Sequence, residues 1–214
     1  TSELSRRSLL QLAGAGALGM ALGTHAGAQN ASRPPNIVFI LADDLGWADL
    51  GCYGNTYHET PNLDRLATQG VRFTDAYAAC PVCSPTRASI MSGQYPAHVG
   101  VTDFISGHWR PYAKLRVPRN RTQYLPLEID TVAEALESAG YVSGHFGKWH
   151  LGGQAYFPDQ QGFDDMVVSS GWGHFGNNSA PDQKWDEEDY LSEVLTDKAL
   201  GFMEGNKEKP FFLN

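Results

Sequence analysis

A cysteine, a proline and an arginine stand at fixed spacing in Cys83-Ser84-Pro85-Thr86-Arg87. The residues from Ser84 to Met91 read as a helix that Gly93 ends, which places Cys83 at a helix start. There the helix dipole favours a thiolate, and unpaired amides can receive an anion. Arg87 lies one turn on, so its guanidinium can return to the same spot and hold a tetrahedral oxyanion. Other readings of Cys80-x-x-Cys83 stand beside this one: a redox pair, half of a zinc site, or a disulfide. A zinc site calls for a second pair, whereas only Cys52 remains. A disulfide suits an exported protein.

Two further groups carry possible chemistry. Asp43-Asp44 follow the apolar run Asn36 to Ala42 (NIVFILA). Adjacent carboxylates repel unless something positive lies between them, and a hard divalent cation such as Ca2+ accepts the irregular oxygen set a loop would offer. Neighbouring strand residues point to opposite faces, so both can converge only if the chain turns, which Gly46 permits. A solvated turn is the alternative. In Gly147-Lys148-Trp149-His150-Leu151-Gly152, an extended chain would aim Lys148 and His150 one way and Trp149 the other. A cation and an imidazole so placed suit an oxyanion and a nucleophile's hydroxyl; surface decoration is the plainer reading. His174 sits in a Gly- and aromatic-rich stretch, while His98, His108 and His145 read as structural.

The elements that must position these groups alternate. NIVFILA is apolar throughout, as expected of a strand buried on both faces of a parallel sheet, and ligands of such sheets gather at the strands' carboxyl ends. Thr60-Pro61 opens a short helix that Gly70 stops. Val71 to Ala76 reads as a strand. Arg110 to Leu127 is basic, contains prolines and reads as a surface excursion. Thr131-x-x-Glu134 is a capping box whose helix runs to Gly140, and Tyr141 to Phe146 is the next strand. Gly153 to Glu188 is expected to be a loop over the site, with Tyr156, Trp172 and Trp185 able to stack on a sugar or aryl ring. A helix over Tyr190 to Met203 follows, then a strand beginning at Phe211. The fold class is therefore α/β, with a mainly parallel (mixed) sheet between helices.

The net charge of −8 argues against nucleic-acid binding. It also means that an anionic substrate must be drawn by a local cluster of cations. Ser5-Arg6-Arg7-Ser8-Leu9-Leu10, the apolar run Leu12 to Leu22 and Ala26-Gly27-Ala28 read as a twin-arginine-like export signal over residues 1–28. The run is short for a membrane span. The expected location is the periplasm or the extracellular space, with residues 29–214 forming the folded part. The first residue is Thr and the last ones open a strand, so the chain is expected to continue at both ends.

These motifs resemble those of the type I, formylglycine-dependent sulfatases of the alkaline-phosphatase-like superfamily. Cys83-x-Pro85-x-Arg87 matches the family's modification motif, and Ala88-Ser89-Ile90-Met91-Ser92-Gly93-Gln94-Tyr95-Pro96 continues the signature. Thr86 stands where many members have Ser. Asp43-Asp44, before Leu45-Gly46-Trp47, resembles the first metal-binding stretch, and the hexapeptide from Gly147 resembles the second signature. The motifs keep the family's order from about Pro35 to Asn214. His174-Phe175-Gly176 is similar to a segment of galactosamine-6-sulfatase-like members, where the histidine faces the sulfate.

The resemblance implies conversion of Cys83 to formylglycine by a formylglycine-generating enzyme, and Ca2+ held by Asp43, Asp44 and residue 83. It implies Lys148 on a sulfate oxygen and His150 on the formylglycine diol. One hydroxyl of the diol would attack sulfur as the alcohol leaves, and the second would expel sulfate. The implied substrate is a sulfate monoester, either a sulfated glycan or an aryl sulfate. A second Asp/Asn metal pair, a further His and a further Lys would lie beyond Asn214, so the 214-residue chain alone is expected to be inactive. A phosphate or phosphonate monoester hydrolase of the same superfamily and a Cys-x-x-Cys redox protein are the alternatives.

Overall fold

The computed structural model describes residues 33–107, 114, 122–169, 173–175, 185–186 and 188–214. Two units divide the chain, Thr1–Arg33 and Pro34–Asn214, and every element below belongs to the second. The export signal, His108, Trp172 and most of the stretch from Arg110 to Arg121 lie outside the described residues.

Strands β1 (Ile37–Val38), β2 (Val142–Lys148), β3 (Asp165–Ser169) and β4 (Phe211–Leu213) form one sheet in the order β1-β4-β2-β3. Every pairing between them is parallel. Helices α1 (Pro61–Gln69), α2 (Cys83–Ser92), α3 (Pro96–Val99), α4 (Val132–Glu137) and α5 (Leu191–Gly205) complete the fold. Alternation along β4 divides the core. Phe212 points into a cluster with Ala88 and Met91 of α2, Ala133 of α4, Trp149 and Phe163. Phe211 and Leu213 point the other way, onto Phe202 of α5. Helices thus cover both faces, as the sequence predicts for an α/β protein.

Local chemistry explains the boundaries. Gly93 ends α2 in the left-handed region at φ 67°, its amide donating to the Ser89 carbonyl. The capping box of α4 is complete: the Thr131 hydroxyl accepts from the Glu134 amide at 3.2 Å, and the Glu134 carboxylate accepts from the Thr131 amide at 2.7 Å. Helix α4 stops at Glu137, with Gly140 in the turn beyond at φ 81°. At α1, Thr60 makes no side-chain cap. Its hydroxyl instead donates to Asp64 at 3.0 Å and accepts from the Gly51 amide at 2.8 Å, closing the preceding turn.

Some expectations are overturned. The run Asn36 to Ala42 is not a strand buried on both faces. Only Ile37–Val38 is strand, extended by a 2.7 Å bond from the Phe39 amide to the Leu213 carbonyl, and Ile40 is 81% exposed. The reason is topological: β1 is the sheet's edge among the described residues, with β4 as its single strand neighbour. Val71 to Ala76 forms no strand and is exposed. Among the described residues no strand lies beside it to complete a ladder, and its Phe73 carbonyl accepts instead from the Tyr53 hydroxyl at 2.8 Å. Gly153 to Glu188 is not a plain loop. It holds 3-10 turns at Gln154–Tyr156 and Pro158–Gln160 and then strand β3, which pairs with β2 from Gly144 to Lys148. Tyr156 stacks on Tyr124, with centroids 4.0 Å apart, and so is already engaged within the fold.

Thr131 ties these parts together. It is 1% exposed, and beyond its capping role its hydroxyl donates to the Gln161 carbonyl at 2.8 Å. Gln161 in turn donates to the Leu125 carbonyl at 3.0 Å. Replacing Thr131 removes a cap and leaves a buried carbonyl unpaired. Thr131→Ala is expected to lower the unfolding free energy in urea by about 2 kcal/mol; an unchanged midpoint would contradict this account.

Candidate active site

The site lies where β1 and β2 end at their carboxyl edge and α2 begins. Just past β1, Asp44 adopts φ 56°, so the chain turns and the alternation of strand side chains is broken. Asp43 and Asp44 are thereby brought together, as their sequence position requires. Cys83 is the first residue of α2. Oxygen atoms of the two carboxylates and the Cys83 sulfur all lie within 4.8 Å of one another. Cys52, Cys80 and Cys83 are all free thiols.

Arg87 is 8% exposed and crosses between elements. Its Nη1 donates to the Lys148 carbonyl at 2.5 Å, and its Nη2 donates to Asp43 Oδ1 at 3.1 Å. The Lys148 ammonium donates to Asp43 Oδ2 at 2.6 Å and reaches Cys83 Sγ at 3.4 Å. Asp43 therefore sits between two cations. Burial raises its pKa, but hydrogen bonds and charge from Lys148 and Arg87 outweigh that and hold it below the ordinary carboxylate value. Thr86, between the motif's proline and arginine, donates to the Cys80 carbonyl at 2.6 Å and anchors the approach to α2.

The strand alternation predicted to aim Lys148 and His150 the same way does not extend to both. Strand β2 ends at Lys148, and His150 lies beyond it at φ 57°, so strand alternation does not orient the histidine. Trp149 does bury itself, at 1% exposure, donating to the Tyr156 carbonyl at 2.7 Å. His150 Nε2 is hydrogen-bonded to the Ile105 carbonyl, and its Nδ1 is buried with no partner among the described residues. A carbonyl only accepts, so Nε2 carries the proton. Burial lowers the His150 pKa; the Ile105 bond opposes this, while the charges of Lys148 and Arg87 add to it. The ring is then neutral, with a bare lone pair on Nδ1. Nothing in the sequence marks Ile105, because it acts through its backbone.

His174 is exposed and shares with Asp43, Arg87, Lys148 and Asn214 the lining of a cleft of about 670 Å3. The Leu191 amide donates to its carbonyl at 2.8 Å, which fixes it against the start of α5. Trp185 is half-buried and lines neither this cleft nor a smaller hollow of about 260 Å3 at Asp43, Asp44, Cys80 and Cys83.

The profile of the family described as Sulfatase matches residues 35–214, and the chain belongs to the sulfatase family. Among its relatives, human arylsulfatase A is 48% identical over 135 residues, covering 62% of this chain and 24% of that protein. N-acetylgalactosamine-6-sulfatase of Canis lupus familiaris is 36% identical over 219 residues, covering 87% of this chain and 40% of that protein. In three dimensions the chain is similar to Ps i-CgsB at TM-score 0.69 and 30% identity, over 85% of this chain and 44% of that one. It is similar also to BT4656, solved with its substrate D-glucosamine-2-N,6-O-disulfate, at TM-score 0.68 and 30% identity, over 85% and 33%. The chain thus spans under half the length of each of these proteins.

Of the histidines read as structural, His98 is exposed and His145 is buried against Trp149 and Phe163, edge to face at 5.2 and 5.7 Å. Burial is the main cause that lowers the His145 pKa, to about 3, against a hydrogen bond with the Gly147 backbone and with the help of Arg87's charge. The folded state therefore stays neutral while the unfolded state binds a proton below the ordinary value of 6.5. Stability from this residue is full above that value and is lost as pH falls towards 3. Between pH 7 and pH 5 the wild type is expected to lose on the order of 2 kcal/mol more unfolding free energy than His145→Gln. Equal pH slopes in urea denaturation would refute this.

Proposed function

We propose that the protein hydrolyses sulfate monoesters, with residue 83 as nucleophile after its conversion from cysteine to formylglycine. The observation that carries this reading is the meeting of Asp43, Asp44, Cys83, Arg87 and Lys148 at one sheet edge. A sulfuryl group in transfer is negative, so its stabilisation needs fixed cations rather than the field of a chain of net charge −8. Arg87 is buried and held by two acceptors, and thus pre-aimed. Lys148 already reaches the side chain of residue 83 and would bind a sulfate oxygen. His150, neutral with Nδ1 bare, would accept a proton from the hydroxyl it holds. His174, across the cleft, would contact the sulfate.

The donor set also fits Ca2+. The Cys83 sulfur stands where the formylglycine oxygen would be, so modification turns a mixed set into one of oxygens alone, which a hard cation prefers. Asp43, Asp44 and residue 83 would hold the ion, which when bound adds positive charge at the reacting group. Formylglycine as its hydrated diol supplies one hydroxyl for attack and a second for release of sulfate. Asp43 has a further role among this chain's own residues: it sets the separation of the Lys148 and Arg87 cations.

The substrate class we infer is a sulfated sugar. Supporting it are the substrate complex of BT4656 named above and the cleft beside His174, which has room for a ring. The maturation partner would be a formylglycine-generating enzyme, and the Arg6-Arg7 segment supports export to the periplasm or beyond. Among the described residues, no helix is long and apolar enough to cross a membrane.

The chemistry has a direct test. After co-expression with a formylglycine-generating enzyme, the tryptic peptide Phe73–Arg87 is expected to show the mass of an aldehyde in place of the thiol. An unmodified thiol, where a control sulfatase is modified, would sink the reading. In the full-length enzyme, 4-nitrophenyl sulfate should be cleaved in preference to the phosphate, and a chelator should abolish turnover until Ca2+ is restored. Lys148→Ala is expected to lower kcat/KM by about 100-fold or more; a smaller effect than about 10-fold would remove Lys148 from the proposed machinery.

A further inference from the structure

The motif residue between the cysteine and the proline has no part in the reading above. Ser84 is 0% exposed, and its hydroxyl oxygen accepts a 3.0 Å bond from the Ile105 amide. The Ile105 carbonyl, one residue's span away, is the group that holds His150 Nε2. Ser84 and Cys83 are neighbours in the first turn of α2, whereas His150 follows β2 in another part of the chain. The segment around Ile105 is neither helix nor strand, so no ladder of backbone bonds fixes its carbonyl. Side-chain anchors must do so instead.

We propose that Ser84 is a positioning residue: by holding the Ile105 amide it sets the Ile105 carbonyl, which fixes the proton of His150 on Nε2 and leaves Nδ1 as the free acceptor. A neutral imidazole without fixed partners interchanges its two tautomers, and hydrogen bonding decides which one a folded site holds. One turn of helix thus carries the nucleophile and also the determinant of which nitrogen faces the chemistry. Second-sphere bonds of this kind orient imidazoles in metal sites by the same physics. The inference rests on His150 acting on the group at position 83, but its test does not.

The test reads the tautomer in the full-length enzyme labelled with 15N-histidine, at pH 8, where the ring is neutral. His150 is assigned by the signal lost in His150→Gln. Long-range 1H–15N correlation spectra are expected to show Nε2 protonated and Nδ1 bare in the wild type. In Ser84→Ala the two nitrogen shifts should move towards each other as the tautomers mix, and Ser84→Thr, which keeps the acceptor, should restore the pattern. A single, wild-type tautomer in Ser84→Ala would overturn the proposal. A second measurement needs no variant: the Ile105 amide should exchange with solvent at least about 10-fold more slowly than an unprotected amide. Free exchange there would overturn the proposal equally. The sulfatase reading fails on the peptide mass and the ester assay, this inference on the spectra, so either can fall without the other.

Discussion

The buried guanidinium of Arg87 is the constraint on which the site depends. A charge taken out of water must be met by partners that are themselves fixed. Arg87 finds them in the Lys148 carbonyl at the end of β2 and the Asp43 carboxylate past the end of β1. These strands are not neighbours, because β4 lies between them. The arginine therefore spans the sheet's edge and fixes the distance between segments that the sheet alone would leave unconnected there. Asp43 completes the figure by binding Lys148 as well.

Helix α2 supplies what makes this geometry possible. Its hydrophobic side, through Ala88 and Met91, is locked against Phe212 and the aromatic cluster of Trp149 and Phe163. With that face immobile, the first turn has little freedom, and Cys83, Ser84 and Arg87 inherit its rigidity. Sites built on regular elements hold their geometry better than sites on loops. Here the loops that contribute, after β1 and after β2, each do so at a residue with positive φ, Asp44 and His150. Such residues carry a backbone cost that persists when surrounding structure holds them.

Much of this was legible from residue types. The helix from Cys83, its glycine stop, the capping box at Thr131 and the strand at Phe211 all follow from local chemistry that tertiary contacts do not override. The carboxylates and Lys148 were legible because charge in fixed spacing has few physical uses. What failed depended on neighbours. The run at Asn36 is apolar enough for a central strand, but edge or centre is decided by which segment lies alongside, and the order β1-β4-β2-β3 is invisible in the run itself. Strand β3 was concealed by the glycines and aspartates around Met166-Val167-Val168, whose composition reads as loop. The Ile105 carbonyl belongs to every residue type alike and leaves no mark in a sequence.

The interleaved strand order has a consequence in time. Strand β4 is the last element of the chain described, yet it sits between β1 and β2. During synthesis the segments bearing Asp43, Cys83 and Lys148 emerge first, and their mutual distances stay undefined until Phe211–Leu213 is threaded between them. Pairing of such sequence-distant strands is slow, since loop closure must precede any contact that rewards it. Until then α2, which begins at Cys83, lacks Phe212, one of the side chains its inner face packs against. Topology thereby makes the geometry of this edge a late acquisition of folding, because it waits on the strand that joins β1 to β2.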